Sequence, residues 1–205
     1  MQPAVEPAPW SLSLAYGQFT ADLVFDEFVG LEVEQHMVVA GVSHAFEGGW
    51  RLGGTVGASL AGSLRGEDHR LTFRPGFVAS FLAAVTFLEA EGYRPFFEST
   101  LTVSVSWATL RDEVGASSPW VALDFRLGAT AGWRVHDVWV PYLAVRFFGG
   151  PVFWRDGSTD RVGTDRHHFQ LAIGSTVTLW NVDLFVEWAL PVGESGLSLG
   201  LGYRF

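Results

Sequence analysis

The feature that most constrains this chain is a two-residue alternation of large apolar with small or polar side chains that returns from one end to the other. Successive side chains of a β-strand point to opposite faces, so such a pattern specifies sheets with two unlike sides. At the end of the chain Leu197, Leu199, Leu201, Tyr203 and Phe205 share one face, while Ser198, Gly200, Gly202 and Arg204 share the other. Trp50, Leu52, Val56, Ala58, Leu60 and Leu64 oppose Arg51, Thr55, Gly57, Ser59, Ala61 and Ser63 in the same way. Val121, Leu123, Phe125, Leu127, Ala129, Ala131 and Trp133 oppose Ala122, Asp124, Arg126, Gly128, Thr130 and Gly132.

Carried along the chain, the pattern predicts ten strands, at about 10–17, 32–46, 50–64, 71–89, 93–109, 120–134, 138–149, 167–180, 182–190 and 197–205. The second is the least regular, because its alternation breaks at Val38-Val39. Connections alternate between long and tight, with the longest at 18–31 and 150–166, as in an antiparallel up-and-down meander whose long connections gather at one end. The expected fold is all-β, a single transmembrane antiparallel barrel over 10–205 preceded by a short tail over 1–9. Eight strands is the structural alternative.

A barrel could carry its oil inside, as a soluble protein does, or outside, as a membrane protein does. The less apolar face decides between them. It is mostly Gly, Ser, Thr and Ala with scattered ions, which is a poor water-facing surface but suits a narrow interior where volume is limited and charges must pair. Composition agrees: charged residues are 17%, hydrophobic residues 48% and mean hydropathy +0.23. The longest apolar run, Phe77 to Leu88, contains Ser80 and Thr86, so no transmembrane helix is expected. A closed barrel, however, satisfies every backbone group in hydrocarbon. Aromatics near strand ends, at Trp10, Trp50, Trp133, Trp139, Trp188, Tyr203 and Phe205, fit interfacial girdles. Met1 to Pro7 has neither the basic start nor the apolar core of a secretory signal, so an exported chain is expected to be a mature form.

Composition also removes several kinds of chemistry. All 13 basic residues are Arg, so no P-loop Lys, Schiff-base Lys or Ser-x-x-Lys pair exists. With no Cys there is no disulfide, thiolate nucleophile or Cys-based metal site. A net charge of −9 disfavours nucleic acid as a partner.

The terminal segment Leu197-x-Leu199-x-Leu201-x-Tyr203-x-Phe205 resembles the last-strand assembly signal of small Gram-negative outer-membrane β-barrel proteins. The resemblance covers nine residues. It implies a location in the outer membrane, surrounding lipid and the barrel-assembly machinery as partners, and periplasmic termini and tight turns.

Two groups of residues carry the functional expectations. On the less apolar phase lie Arg51, Arg74, Glu98, Asp124, Arg126, Arg134, Arg146, Asp183, Glu187 and Arg204, expected to form a luminal charge network that either plugs the barrel or lines a narrow pathway. Aligning the last two strands so that Leu190 faces Leu197 sets Asp183 opposite Arg204. The long connections 18–31 and 150–166 are rich in acids and are expected to form an outer contact surface.

Catalytic signals are weak. Asp165 with His167 and His168 could hold a metal, but adjacent residues entering a strand diverge. His36, His44, His69 beside Asp68, and the Asp26-Glu27 pair make no recognisable hydrolase arrangement. The expected function is therefore a non-enzymatic outer-membrane protein, structural or surface-binding, needing no cofactor or metal. A small-solute or ion channel and a lipid-directed hydrolase are the alternatives.

Overall fold

The computed structural model describes residues 9–25, 28–66, 70–90, 94–136, 138–190 and 194–205, without the side chains of 28, 29 and 156. The N-terminal tail over 1–8, the Asp26-Glu27 pair, Glu67, Asp68 and His69 lie outside the described residues. Among the described residues twelve strands follow one another, with one 3-10 turn at Glu47–Gly49. They are β1 (Trp10–Phe25), β2 (Phe28–Ala45), β3 (Trp50–Arg65), β4 (Arg70–Leu88), β5 (Phe96–Arg111), β6 (Ser117–Gly132), β7 (Trp139–Gly149), β8 (Val152–Asp156), β9 (Thr159–Asp165), β10 (Phe169–Leu179), β11 (Val182–Ala189) and β12 (Ser195–Arg204).

All neighbours are antiparallel, and the sheet closes where β12 pairs with β1, from Ser11↔Arg204 to Thr20↔Ser195. At the end of the barrel that holds the chain termini, the ring contains β1 to β7 and β10 to β12, ten strands. At the opposite end it is different. There β8 continues β7 along β6 (Ala122↔Val152), and β9 pairs with β8 and then with the top of β1 (Phe25↔Gly163), so that β1 to β6, β8 and β9 form a ring of eight. The short hairpin β11–β12 stops beneath this collar. The ring of ten is the strand count expected from sequence, and the eight-stranded collar is a narrowing of that same wall.

This arrangement corrects two expectations. The connections 18–31 and 150–166 are not loops: β1 and β2 run on to Phe25 and from Phe28, and 152–165 is a hairpin built into the wall. The polar residues that suggested loops lie on the outside of a wall whose inside is apolar. Glu32 and Arg65 face one another across β2 and β3, and Arg74 and Thr109 do so across β4 and β5. The change of path between β7 and β8 falls at Gly150-Pro151. A Cβ on Gly150 would overlap the Leu123 carbonyl oxygen of β6, so the close approach of the two backbones requires glycine there.

In the strands that run through both parts, β1 to β6, the amphipathic sense inverts along the length. In the ten-stranded part Leu12, Leu14, Leu52, Phe81, Leu101, Leu127, Leu143, Ile173, Leu184, Leu199 and Leu201 are exposed on the outside. In the collar Leu23, Phe25, Leu31, Val33, Leu64, Leu71, Phe73, Leu110, Trp120, Val152 and Trp154 are buried in one cluster on the inside. In β1 and β5 the same face simply changes composition. In β4 a bulge between Arg74 and Phe77 shifts the phase as well. Exposed aromatics ring the terminal end at Trp10, Trp50, Phe97, Trp133, Trp139, Tyr203 and Phe205.

Candidate functional site

Beneath the apolar cluster the interior becomes ionic. Alternation along β6 turns Asp124 and Arg126 inward, two residues and one pleat apart, below Trp120 and Ala122. The Arg126 guanidinium donates to Asp124 Oδ2 at 2.5 Å and to Glu194 Oε1 at 3.0 Å, and its Cζ lies 5.1 Å from the centre of the Phe148 ring. Glu194, at the foot of β12, is nearly sealed, with 4% of its side chain exposed. Gln170 Nε2 donates to its other carboxylate oxygen at 3.2 Å. Gln170 Oε1 in turn accepts from Arg146 Nη1, which also grips Glu187 through two bonds of 2.6 and 2.7 Å. Tyr142 completes the group by donating to Glu187 at 3.1 Å. A hydrogen-bonded belt thus links β6, β7, β10, β11 and β12.

Nearer the terminal end stand two separate pairs. Arg51 holds Glu98 by two bonds of 2.8 and 2.9 Å, and Arg204 reaches Asp183 at 2.9 Å with Thr178 bridging. The register differs from the one expected: Asp183 faces Gly202, with Trp188 opposite Leu197, and the ion pair is made on the diagonal. Diagonal neighbours in a sheet remain within reach of a long side chain such as arginine.

Of the ten charges assigned to the lumen, eight point inward. Arg74 does not, because the bulge after it puts Leu71 and Phe73 inside and leaves Arg74 exposed on the collar wall. Arg134 does not either: β6 ends at Gly132 and Arg134 is exposed in the following turn. Sequence reasoning missed Glu194, Gln170 and Tyr142. Glu194 follows Pro191-Val192-Gly193 outside the regular alternation, but the collar hairpin passes above β11–β12 and makes that position interior.

The belt divides a run of cavities. Above it lies a chamber of about 110 Å³, bounded by Leu23, Val33, Trp120 and Val152 on the collar side and by Asp124, Glu194 and Asp165 below. Below it a cavity of about 350 Å³ is lined by Gly17, Thr55, Ser80, Thr102, Ser104 and Ser198 together with the belt. That space leads toward one of about 380 Å³ at the terminal end, beside Ser11, Ser43, Arg51 and Asp183. The interior is a passage that opens at one end and is blocked at the other by packed side chains.

The described histidines do not gather at this passage. His36 Nδ1 is 2.7 Å from the Tyr16 hydroxyl and its Nε2 is 3.5 Å from Glu34, on the outer wall. His44 packs between Trp10 and Phe46 near the terminal end. His167 is 3.9 Å from Asp22, whereas His168 Nδ1 lies 3.1 Å from the Phe148 carbonyl oxygen, so the neighbouring pair diverges. No group of three potential metal ligands forms among the described residues.

No protein-family model matches the chain, and no characterised protein matches it by sequence. Solved structures do. The outer-membrane protease OmpT from Escherichia coli superposes with a TM-score of 0.59 at 10% identity, over 98% of each chain. The translocator domain of the autotransporter NalP from Neisseria meningitidis gives 0.55 at 12% identity, over 96% of this chain and 89% of that one. An outer-membrane channel from Pseudomonas putida F1 gives 0.54 at 8%, over the whole of both. This is the fold of the outer-membrane β-barrels. A protease, a translocator and a channel share it, so the likeness fixes architecture and leaves activity to the residues.

Proposed function

We propose that this chain is an outer-membrane protein of a Gram-negative bacterium whose lumen is closed to ion flow and whose work is done by its surface. The single observation that carries the reading is the apolar cluster filling the eight-stranded collar. Phe25, Leu64 and Leu110 are almost wholly buried there, and Trp120 and Trp154 fill the remaining centre. Water and ions do not pass through a packed hydrocarbon interior. The belt of Asp124, Arg126, Glu194, Gln170, Arg146 and Glu187 forms a second obstruction below it.

In this reading the exposed Leu, Phe and Trp of the ten-stranded part contact lipid, and the aromatic ring at the terminal end marks the periplasmic interface. Leu197, Leu199, Leu201, Tyr203 and Phe205 serve insertion by the barrel-assembly machinery. The collar projects outward as a rigid stub with charged walls, carrying Asp22, Glu32 and Glu34 among Arg65, Arg70 and Arg111, and supplies the structural or surface-binding role. The test is planar-bilayer recording with purified, refolded protein that shows heat-modifiable gel migration. A silent bilayer is expected. Reproducible single-channel steps from the wild type would overturn the closed-lumen reading in favour of a channel.

A further inference from the structure

Acids and bases are sorted along the outer wall of the collar. Asp22, Glu32 and Glu34 stand on β1 and β2, whereas Arg65, Arg70, Arg74 and Arg111 stand on β3, β4 and β5. In the ladders Arg65 is opposite Arg70, Thr72 is opposite Arg111, and Arg74 is opposite Thr109. Arg111 is therefore a diagonal neighbour of both Arg70 and Arg74, at about 7–8 Å. Like charges directly opposite one another, as Arg65 and Arg70 are, work against strand pairing. Glu34 reaches Arg65 at 3.7 Å from the β2 side. Arg70, Arg74 and Arg111 are exposed and make no ion pair with a described residue. Asp112, next to Arg111, is turned into its own turn, where it accepts from the Ala116 N–H at 2.7 Å. Three guanidiniums thus share one small area of wall without a matching anion.

The wall directly beneath them is bare hydrocarbon. On the same outward face, the pair below Arg74 and Thr109 is Phe77 and Trp107, 50% and 62% exposed, and Phe81 and Val105 continue it toward the terminal end. Unmatched cations immediately above exposed aromatic rings fit a molecule with an anionic head and an apolar tail. We propose that this face binds a lipid whose head carries a phosphate monoester, its oxygens on Arg70, Arg74 and Arg111 and its chains along Phe77 and Trp107. A monoester brings a charge of about −1.5 to −2 and three acceptor oxygens, so it engages several guanidinium forks at once, which a singly charged diester does less well. The site deepens the surface-binding role given to the collar and rests on that reading.

Binding is measured by calorimetry on full-length protein in an uncharged detergent at pH 8 and low salt. Dioctanoyl phosphatidic acid should bind saturably. It should bind about tenfold more tightly than dioctanoyl phosphatidylglycerol, a diester, and than glycerol 3-phosphate, which has no tails, as expected for one further charge-assisted or apolar contact. Arg111→Gln should weaken phosphatidic acid binding about tenfold, whereas Arg134→Gln, which removes an equal charge from an exposed turn at the terminal end, should leave it unchanged. Both positions are exposed, and heat-modifiable gel migration confirms that the variants fold. Absence of saturable binding, equal affinity for the monoester and the diester, or equal affinity in wild type and folded Arg111→Gln overturns the proposal. So does glycerol 3-phosphate binding as tightly as phosphatidic acid, which would mark a site for a free anion, and so does an equal loss in Arg134→Gln, which would mark attraction by net charge alone. None of these outcomes bears on bilayer conductance, so this inference and the closed-lumen reading fail separately.

Discussion

Replacing Arg126 by Met keeps most of the side-chain volume and removes the one cation that Asp124 and Glu194 share, at 2.5 and 3.0 Å. Two carboxylates then face each other in a space where Glu194 is almost inaccessible to water. Two like charges about 5 Å apart repel by about 3 kcal/mol at an effective dielectric constant of about 20. Removing one partner of a buried pair costs about 3–5 kcal/mol. Both routes give a loss of similar size, and they are two views of one term, not a sum. Urea unfolding in detergent micelles at pH 8, followed by tryptophan fluorescence and gel mobility, should show Arg126→Met losing about 3–5 kcal/mol. Adding Asp124→Asn and Glu194→Gln should restore much of the loss, because no charge is then stranded. A variant within about 1 kcal/mol of wild type would refute a dry, paired belt.

Four further outcomes are expected. Asp165→Asn should stabilise the protein at pH 8 and give no advantage near pH 4, because burial raises this carboxyl to about 6, so its ionisation works against folding above that pH; the same urea titrations at the two pH values check it. Asp183→Ala should cost only about 1 kcal/mol, since 37% of the Arg204 side chain stays exposed and the stranded guanidinium is hydrated; a loss above about 3 kcal/mol in the same assay would place this pair in a dry interior. Leu201→Arg, on the outward face between Leu14 and Leu184, should lower stability by about 1–4 kcal/mol in lipid vesicles, and wild-type stability there would mean that this face does not meet hydrocarbon. Phe25→Ala should cost about 3–5 kcal/mol through loss of its contacts with the collar cluster and with Trp154, whose ring centroid lies 5.8 Å away, and an unaffected unfolding midpoint would show that the collar is loosely filled.

The ten-stranded part of this fold is written in single residues of sequence, and the collar is not. Leu197 to Phe205 alternates without interruption, and each of its odd positions points outward. The break at Val38-Val39 also had a structural counterpart close by, a bulge between His36 and Met37. In 18–31 the same reading failed because polarity was taken as the sign of a loop. Thr20, Asp22, Glu32 and Glu34 lie on the polar outer face of strands whose inner face is apolar. Alternation persists there, with Ala21, Leu23, Phe25, Leu31 and Val33 inside, but its sense is reversed. Nothing local to 152–165 shows that β9 will leave β10's line to pair with β1, a contact some 140 residues away in sequence. Glu194 became a core residue only through that crossing. The luminal charges on regular strands were therefore legible, and those beside bulges and strand ends, Arg74 and Arg134, were not.

The narrowing to eight strands has a physical reason that joins the two halves. The interior width of a barrel grows with strand number, and a ring of eight is just wide enough for side chains to fill. A ring of ten lined with Leu, Phe and Trp would leave voids between opposite walls, each with its cost in lost contacts. Diverting β8 and β9 across the top of β11–β12 removes two strands from the circumference at the level where the interior turns apolar, and Trp120 and Trp154 from neighbouring β6 and β8 then close the centre. Below that level the wider ring is lined with Gly, Ser and Thr, and cannot be filled by hydrocarbon. Its obstruction is made of long ionic side chains that span the gap from several strands, Arg126 from β6 and Arg146 from β7. The belt sits where it does because it is the first level beneath the plug at which ten strands surround the interior.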